Sequence, residues 1–148
     1  MDGAGNGVGS DAVLLVYDAR SNKVYSINAE GTAPKLATIE WYKANHGGTL
    51  PDSDTLLSGT VPGVVDAWYI LLDRWGTMSF EQVLAPAIEI AENGFPLSDG
   101  LAGAITGSKK LRKYPSSVEV YFPGGRQRWR GGEIFRNPDL ARTLKALV

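Results

Sequence analysis

The sequence contains no cysteine and only one histidine among its 148 residues. The absence of cysteine excludes disulfides, thiolate metal sites and cysteine nucleophiles, and it leaves the cellular compartment open. The single imidazole, His46, precedes Gly47 and Gly48, so we predict a solvated loop residue and no metal site. Long apolar runs are also missing, and the first residues lack the basic-then-apolar pattern of a signal peptide. We therefore predict no membrane span, and the localisation stays open.

The chain also lacks an excess of charge of either sign. It has 15 Lys and Arg residues against 16 Asp and Glu residues, for a net charge of -1 and a pI near 5.8. Nucleic acids and anionic membranes are bound by a concentrated positive field, so the composition argues against both partners. With 43% hydrophobic residues, the sequence is long enough to bury a sizeable core.

Two common kinds of active site are absent from the pattern. The glycines of residues 3–9 lack the G-x-G-x-x-G spacing and precede a predicted strand, and no Gly-Lys-Ser/Thr occurs, so a phosphate-binding loop and a nucleotide cofactor are excluded. A Ser-His-Asp triad would need His46, and nothing marks its partners. We predict no cofactor and no catalytic residue within this chain.

A basic cluster, Arg126, Arg128 and Arg130 around Trp129, allows two interpretations. The tryptophan and arginines can stack on bases or bind anions, or they form a solvated edge with alternating side chains. The near-neutral composition favours the edge. A second basic group, residues 109–113, lies at a predicted helix end, where cations interact favourably with the helix dipole.

The hydrophobic pattern predicts two strands followed by helices. Residues 13–17 form an apolar run without alternation, typical of a strand buried on both faces, and residues 23–27 alternate as its hairpin partner. A short helix is predicted around Ile39, Trp41 and Tyr42, and loop over 46–62. Apolar spacing predicts helices over 64–75, 79–93 (capped by Ser79 and Gln82, interrupted by Pro86), 97–111 and 140–148 (capped by Asn137), with loop or irregular strand over 114–136. The order indicates an α+β fold without βαβ alternation.

Five stretches resemble, in chain order, segments of the gamma-glutamyltransferase family of N-terminal-nucleophile hydrolases. The most specific is L-A-P-A-I-E-I-A-E-N-G-F-P-L-S (84–98), which resembles the family's L-x-P-A-I-x-L-A-E-x-G-F-P-V. The others are G-N-G-V-G-S-D-A-V-L-L-V-Y-D-A (5–19), I-N-A-E-G-T-A-P (27–34), S-G-T-V-P-G-V-V-D-A-W (58–68) and N-P-D-L-A-R-T-L (137–144). Together they span nearly the whole sequence.

The resemblance implies a particular kind of enzyme. Family members are precursors that cleave themselves into a large and a small subunit, and the new amino-terminal threonine of the small subunit is the nucleophile, with its own α-amine as base. The fold is an αββα sandwich, to which this chain gives two core strands and a mainly helical region. The resemblance implies that the chain is an amino-terminal part of the large subunit, that it is inactive alone, and that its partners are the remaining large-subunit segment, the small subunit and a small-molecule amide substrate. Family members are often periplasmic or extracellular.

One position departs from the family pattern. In the transpeptidases, an arginine in the segment matched by 27–34 holds the α-carboxylate of the γ-glutamyl group, and a bidentate grip of this kind is poorly replaced by other residues. Aligned on I-D-G-R-E-T-A-P, that arginine falls on Glu30, and aligned on N-x-S-G-R-A-P it falls on Thr32. We predict Glu30 and Thr32 as substrate-binding positions of an acylase or amidase-like relative that does not take ordinary γ-glutamyl substrates. Glu30 then either contacts an amine-bearing substrate or is a plain turn carboxylate.

Two interpretations of the whole chain are left. The first is an enzyme fragment, a single domain over 1–148 with a strand hairpin and turn (1–34), a linker and loop (35–62) and a helical region (63–148). The alternative is a non-catalytic, free-standing or truncated domain that acts as a binding or assembly module. Both ends look cut from a longer protein, so we expect the isolated chain to oligomerise through residues 13–27 or to be marginally stable.

Overall fold

The computed structural model describes residues 7–50 and 55–148, which form two compact units. Of the described residues, the first unit contains 7–50 and 55–77, and the second contains Met78–Val148. The assignment of 1–148 to a single domain, with its divisions at 34 and 62, stays a prediction.

The first unit is built on the predicted hairpin. Strands β1 (Ala12–Asp18) and β2 (Lys23–Ala29) pair antiparallel, with Ala12 opposite Ala29 and Asp18 opposite Lys23. The connecting turn is held by the Asp18 carboxylate, which accepts hydrogen bonds from the Ser21 hydroxyl (2.8 Å) and the Arg20 backbone N–H (3.0 Å). These bonds, the one from the Ser21 hydroxyl first, hold the pKa of Asp18 below its ordinary value.

Only one face of this hairpin is covered by the described residues. Helix α2 (Val64–Trp75) packs against it, and the rings of Tyr25 and Trp75 lie 5.2 Å apart. The predicted burial of residues 13–17 on both faces is wrong for the described chain, because alternate side chains point away from the helix. The exposed fractions on that second face are 62% for Val13, 74% for Leu15, 62% for Tyr17 and 67% for Val24.

The segment between hairpin and α2 contains the predicted short helix, α1 (Ile39–His46), capped by the Thr38 hydroxyl. His46 is the last residue of this helix and is half-buried, with its ring 5.2 Å from Trp41 and 6.0 Å from Tyr42. The prediction of a solvated loop histidine is therefore wrong, since the glycines that suggested a loop begin only after the helix. A single 3-10 turn, Leu56–Ser58, follows, and residues 51–54 of the predicted loop lie outside the described residues.

In the second unit the first and the last helix pack together, α3 (Phe80–Asn93) and α6 (Pro138–Lys145). The predicted capping box is confirmed: the Ser79 hydroxyl accepts from the Gln82 backbone N–H, and the Gln82 side chain accepts from the Ser79 N–H. Pro86 lies inside α3 without ending it. The Asn137 cap is confirmed too, although α6 ends at Lys145, before the predicted end at 148. Their contact buries Leu84, Ala91, Ala141 and Leu144.

The rest of the second unit corrects two predictions. Helix α4 (Asp99–Gly107) is shorter than the predicted 97–111, and residues 114–136, predicted as loop or irregular strand, contain helix α5 (Pro115–Tyr121). Extended backbone at Tyr114 lets Pro115 take the first helical position, and seven residues are too few for a periodic signal. Two short strands, β3 (Phe95–Pro96) and β4 (Ile134–Phe135), pair antiparallel; β3 was not predicted, and β4 lies in the stretch predicted as loop or irregular strand.

The core of this unit forms around the ring of Trp129. It contains Leu97, Ala102, Ile105, Phe122, Trp129 and Phe135. The Trp129 ring packs edge-on against Phe135 at 5.5 Å, and its indole N–H donates to the Tyr121 carbonyl at 2.7 Å. None of the described helices is long and apolar enough to cross a bilayer.

Candidate functional site

The turn that follows β2 carries both predicted substrate-binding residues, and its backbone is fixed at three successive positions. The Glu30 N–H donates to the Asn28 side-chain oxygen at 2.9 Å, and the Gly31 N–H donates to Asp11 Oδ1 at 2.9 Å. The Thr32 carbonyl accepts from the Val61 N–H, also at 2.9 Å. The turn is therefore a rigid element of the first unit.

Three chain segments meet at this turn. The Thr60 hydroxyl lies 3.1 and 3.0 Å from the two oxygens of the Asp11 carboxylate, and it donates its single proton between them. The Val64 N–H donates to the Ser10 carbonyl at 3.2 Å, which attaches the start of α2 to the same place. Asp11 thus joins the entry of β1, the turn after β2 and the segment before α2.

The approach of these segments requires glycine. A Cβ atom on Gly31 would lie 1.9 Å from the Val61 carbonyl oxygen, and one on Gly63 would lie 2.5 Å from the Ala29 carbonyl oxygen. The stretch S-G-T-V-P-G-V-V-D-A-W (58–68) therefore contains Gly63 for a structural reason, because only a residue without a side chain fits where the two backbone segments touch.

The side chains of Glu30 and Thr32 are exposed on this fixed backbone. Among the residues that the structure describes, neither side chain has a hydrogen-bond or ion-pair partner. The structure thus places both predicted residues on one turn, two positions apart, with a carboxylate and a hydroxyl facing solvent. Their role in substrate binding stays a prediction.

Sequence reasoning missed Asp11 and Thr60. Both residues lie within stretches that resemble the family, 5–19 and 58–68, and neither was predicted as a site residue. The two residues are 49 positions apart, so no spacing rule links them. The available signal was an acidic residue immediately before a strand and a threonine between Gly59 and Val61, which is too common to be used alone.

The basic cluster is used to build the fold. Trp129 is 7% exposed, and the Arg126 guanidinium lies 3.9 Å from the centre of its ring while pairing with Glu133 at 2.9 Å. The Arg126 side chain and the Arg130 backbone N–H both donate to the Glu133 carboxylate and hold its pKa below the ordinary value. The buried ring is unavailable for stacking on bases. Arg128 and Arg130 are exposed, as the edge interpretation predicted, whereas Arg126 is half-buried against the ring.

In residues 84–98, the most specific of the stretches that resemble the family, the structure explains the glycine at position 94. Gly94 ends α3 with φ 89°, and a Cβ there would lie 2.6 Å from Ile134 Cγ2 and 2.8 Å from the Phe135 carbonyl oxygen. The glycine lets the chain turn directly from α3 into β3 beside β4. Within the described ranges, no group of three or more histidine and acidic side chains is arranged to hold a metal ion.

Two curated proteins and one solved structure are similar to this chain over nearly its whole length. The chain is 36% identical over 151 residues to the oxamate amidohydrolase proenzyme of Klebsiella pneumoniae, covering 97% of this chain and 28% of that protein. It is 31% identical over 145 residues to the glutathione hydrolase proenzyme of Bacillus subtilis, covering 96% and 24%. The solved structure of cephalosporin acylase from Bacillus halodurans matches 96% of this chain and 27% of that chain, with a TM-score of 0.85 and 32% identity.

The chain spans about a quarter of the length of the curated relatives it matches. The model of the family described as "Gamma-glutamyltranspeptidase" matches residues 1–148. The strand hairpin and helical units agree with the α+β fold of the family's N-terminal-nucleophile hydrolases. The chain therefore belongs to the gamma-glutamyltranspeptidase family and corresponds to an amino-terminal part of its large subunit.

Proposed function

We propose that the protein containing this chain is a self-processing amidohydrolase or acyltransferase of the acylase or amidase type. The nucleophilic threonine belongs to the small subunit, so the present chain is inactive alone and contributes substrate contacts. Its partners are the remaining large-subunit segment and the small subunit of the same precursor. Membership of the family supports this proposal, as do the proenzyme relatives.

The observation that carries the proposal is the chemistry of the turn at 28–34. Its two candidate positions hold Glu30 and Thr32, and neither provides the guanidinium that grips the α-carboxylate of a γ-glutamyl group. A γ-glutamyl group carries an α-ammonium beside that α-carboxylate, so an unpaired carboxylate at Glu30 would attract one of its charges and repel the other, whereas it would only attract an amine that has no carboxylate beside it. We therefore propose an acyl amide substrate other than an ordinary γ-glutamyl compound, with Glu30 facing an amine-bearing part of it. The similarity to an oxamate amidohydrolase proenzyme and a cephalosporin acylase supports this choice.

The alternative function, a non-catalytic binding or assembly module, is favoured by one observation. The apolar hairpin face of Val13, Leu15, Tyr17 and Val24 is exposed and would suit another protein as well as the rest of a precursor. The reading frame distinguishes the two functions. Continuation to a Thr-Thr or Thr-Ser processing site favours the enzyme, and a stop codon after Val148 with a stable monomer favours the module.

The test is to express the uninterrupted reading frame and to look for self-cleavage on a denaturing gel. The product is then assayed with γ-glutamyl-p-nitroanilide and with a panel of acyl amides, some bearing a free amine. We expect two bands and hydrolysis of an acyl amide. A precursor that stays intact, or one that hydrolyses γ-glutamyl-p-nitroanilide at ordinary rates, contradicts the proposal.

A paired substitution tests the role of Glu30 within that protein. Glu30→Gln keeps the shape of the side chain and removes its charge, and Glu40→Gln makes the same change at an exposed carboxylate in the first turn of α1. We expect Glu30→Gln to raise KM for an amine-bearing amide and to leave KM for a neutral amide unchanged, whereas Glu40→Gln changes neither. Equal behaviour of the two variants would make Glu30 a plain turn carboxylate.

A further inference from the structure

We infer that Asp11 is a positioning residue for substrate binding: its carboxylate fixes the turn that presents Glu30 and Thr32, and Thr60 completes the clamp. The inference rests on the proposed function, because it assumes that the turn faces substrate. It assigns no contact between Asp11 and substrate.

The hydrogen bonds make Asp11 the link between two segments that are distant in sequence. Its Oδ1 atom accepts from the Gly31 N–H, which belongs to the peptide between Glu30 and Gly31. The same carboxylate accepts from Thr60, which precedes the Val61 N–H that holds the Thr32 carbonyl. Asp11 thus holds the turn directly at the Gly31 N–H, and through Thr60 it holds the segment whose Val61 N–H bonds to the Thr32 carbonyl.

The geometry explains why a charged acceptor is suitable here. Hydrogen bonds to a carboxylate are stronger than those between neutral groups, and one carboxylate serves two donors at once. Gly31 has no side chain to limit its backbone, so without these bonds the peptide between Glu30 and Thr32 would sample many conformations. Fixing it in advance lowers the entropy that substrate binding must overcome.

The pattern of backbone and side-chain contacts points the same way. The backbone of residues 30–32 makes three hydrogen bonds at 2.9 Å each, one to the Asn28 side chain within the turn and two to other segments of the first unit. The side chains of Glu30 and Thr32 are exposed on that backbone. A turn with a fixed main chain and available side chains is the arrangement that a binding segment needs.

The experiment compares four variants of the self-processed protein from the full reading frame. Asp11→Ala removes the acceptor, and Thr60→Val removes one donor while keeping the shape of the side chain. Thr60→Ser keeps the hydroxyl, and Asp73→Ala changes an exposed carboxylate on α2 as a control. KM, kcat and the melting temperature are measured for each with the best acyl amide of the panel.

We expect Asp11→Ala and Thr60→Val to raise KM about tenfold and to change kcat by less than about threefold, because weaker binding without slower chemistry is the signature of lost positioning. Thr60→Ser and Asp73→Ala should retain the wild-type KM. An unchanged KM in Thr60→Val, or a loss of kcat in step with melting temperature, overturns the inference and assigns the clamp to folding alone.

Hydrogen exchange separates this inference from the proposed function. In Asp11→Ala and Thr60→Val, the amide hydrogens of Gly31 and Val61, which donate to Asp11 and to the Thr32 carbonyl, should exchange faster than in the wild type, while those of α2 keep their rates. Unchanged exchange at Gly31 overturns the positioning role even in an active enzyme. A wild-type protein without amidase activity refutes the proposed function, and the substrate part of the inference with it, whatever the exchange shows.

Discussion

The substitution Gly31→Ala tests the close approach at the turn most sharply. The added Cβ would lie 1.9 Å from the Val61 carbonyl oxygen and 2.9 Å from both Asp11 Oδ1 and Thr60 Oγ1. The first of these contacts is with backbone, so relief requires the segments around residues 31 and 61 to separate. Overpacking of this kind costs about 1–3 kcal/mol, and separation also weakens the hydrogen bonds to Asp11.

We therefore expect Gly31→Ala to lower the free energy of unfolding by about 2–4 kcal/mol, combining overpacking with one weakened hydrogen bond. In a cooperative unit of about 60–100 residues, the size range of the first unit, each kcal/mol corresponds to a fall of about 4–8 °C in melting temperature. Urea and thermal unfolding are followed by tryptophan fluorescence, since Trp41, Trp68 and Trp75 all lie in the first unit.

The matched control is Gly59→Ala in the same unit. Gly59 has φ -70° and ψ 136°, and a Cβ there would lie 3.4 Å from the Leu56 carbonyl oxygen, which is an ordinary contact. Alanine at this position should be neutral or should stabilise by about 0.4–1 kcal/mol. If both variants unfold at the wild-type denaturant concentration, the contact between residues 31 and 61 does not form as described.

Three further predictions concern the rest of the chain. Trp129→Ala should lower the free energy of unfolding of the second unit by about 3–5 kcal/mol. Trp129→Phe should lower it by less, because a ring remains in the core, and thermal unfolding followed by far-UV circular dichroism measures both changes. The pKa of Glu133 is lowered in the folded chain, so its contribution to stability is present above the ordinary carboxyl pKa and is lost as the pH falls through the lowered value. In urea unfolding between neutral and acid pH, Glu133→Gln should therefore remove this part of the pH dependence of stability. A pH profile that is the same in Glu133→Gln and in the wild type would refute the prediction. The isolated chain should self-associate through the apolar hairpin face. Leu15 is 74% exposed on that face, so the charge introduced by Leu15→Lys should lower the molecular mass measured by light scattering. A wild-type chain that is monomeric at high concentration would contradict this prediction.

The sequence allowed correct prediction of elements with local causes. The hairpin follows from two short apolar runs separated by turn residues, and the starts of α3 and α6 follow from Ser79, Gln82 and Asn137, whose side chains cap the helices that immediately follow. These signals lie within a few residues of the structure that they determine. The ends of α4 and α6 were less predictable. Helix α4 contains several glycines, so none of them marks its end uniquely, and no Gly or Pro follows α6.

The features that sequence reasoning missed depend on distant contacts. Helix α5 is stabilised where Phe122 and Trp129 pack in the core, and Trp129 is held by a hydrogen bond to Tyr121 and by Thr106, 23 residues earlier. The clamp on the turn joins Asp11 to Thr60 across most of the first unit. Neither arrangement has a fixed spacing, so each becomes visible only when the chain is folded. The turn itself could be located from the sequence, whereas the groups that fix it could not.

The central claim is that the protein uses the turn at 28–34 to bind an acyl amide and not an ordinary γ-glutamyl group. The most direct measurement is the ratio of kcat/KM for an acyl amide that bears an amine but no α-carboxylate to kcat/KM for γ-glutamyl-p-nitroanilide, on one preparation of the self-cleaved full-length protein. We predict a ratio well above one, which falls in Glu30→Gln. A ratio below one, unaffected by Glu30→Gln, would contradict the account.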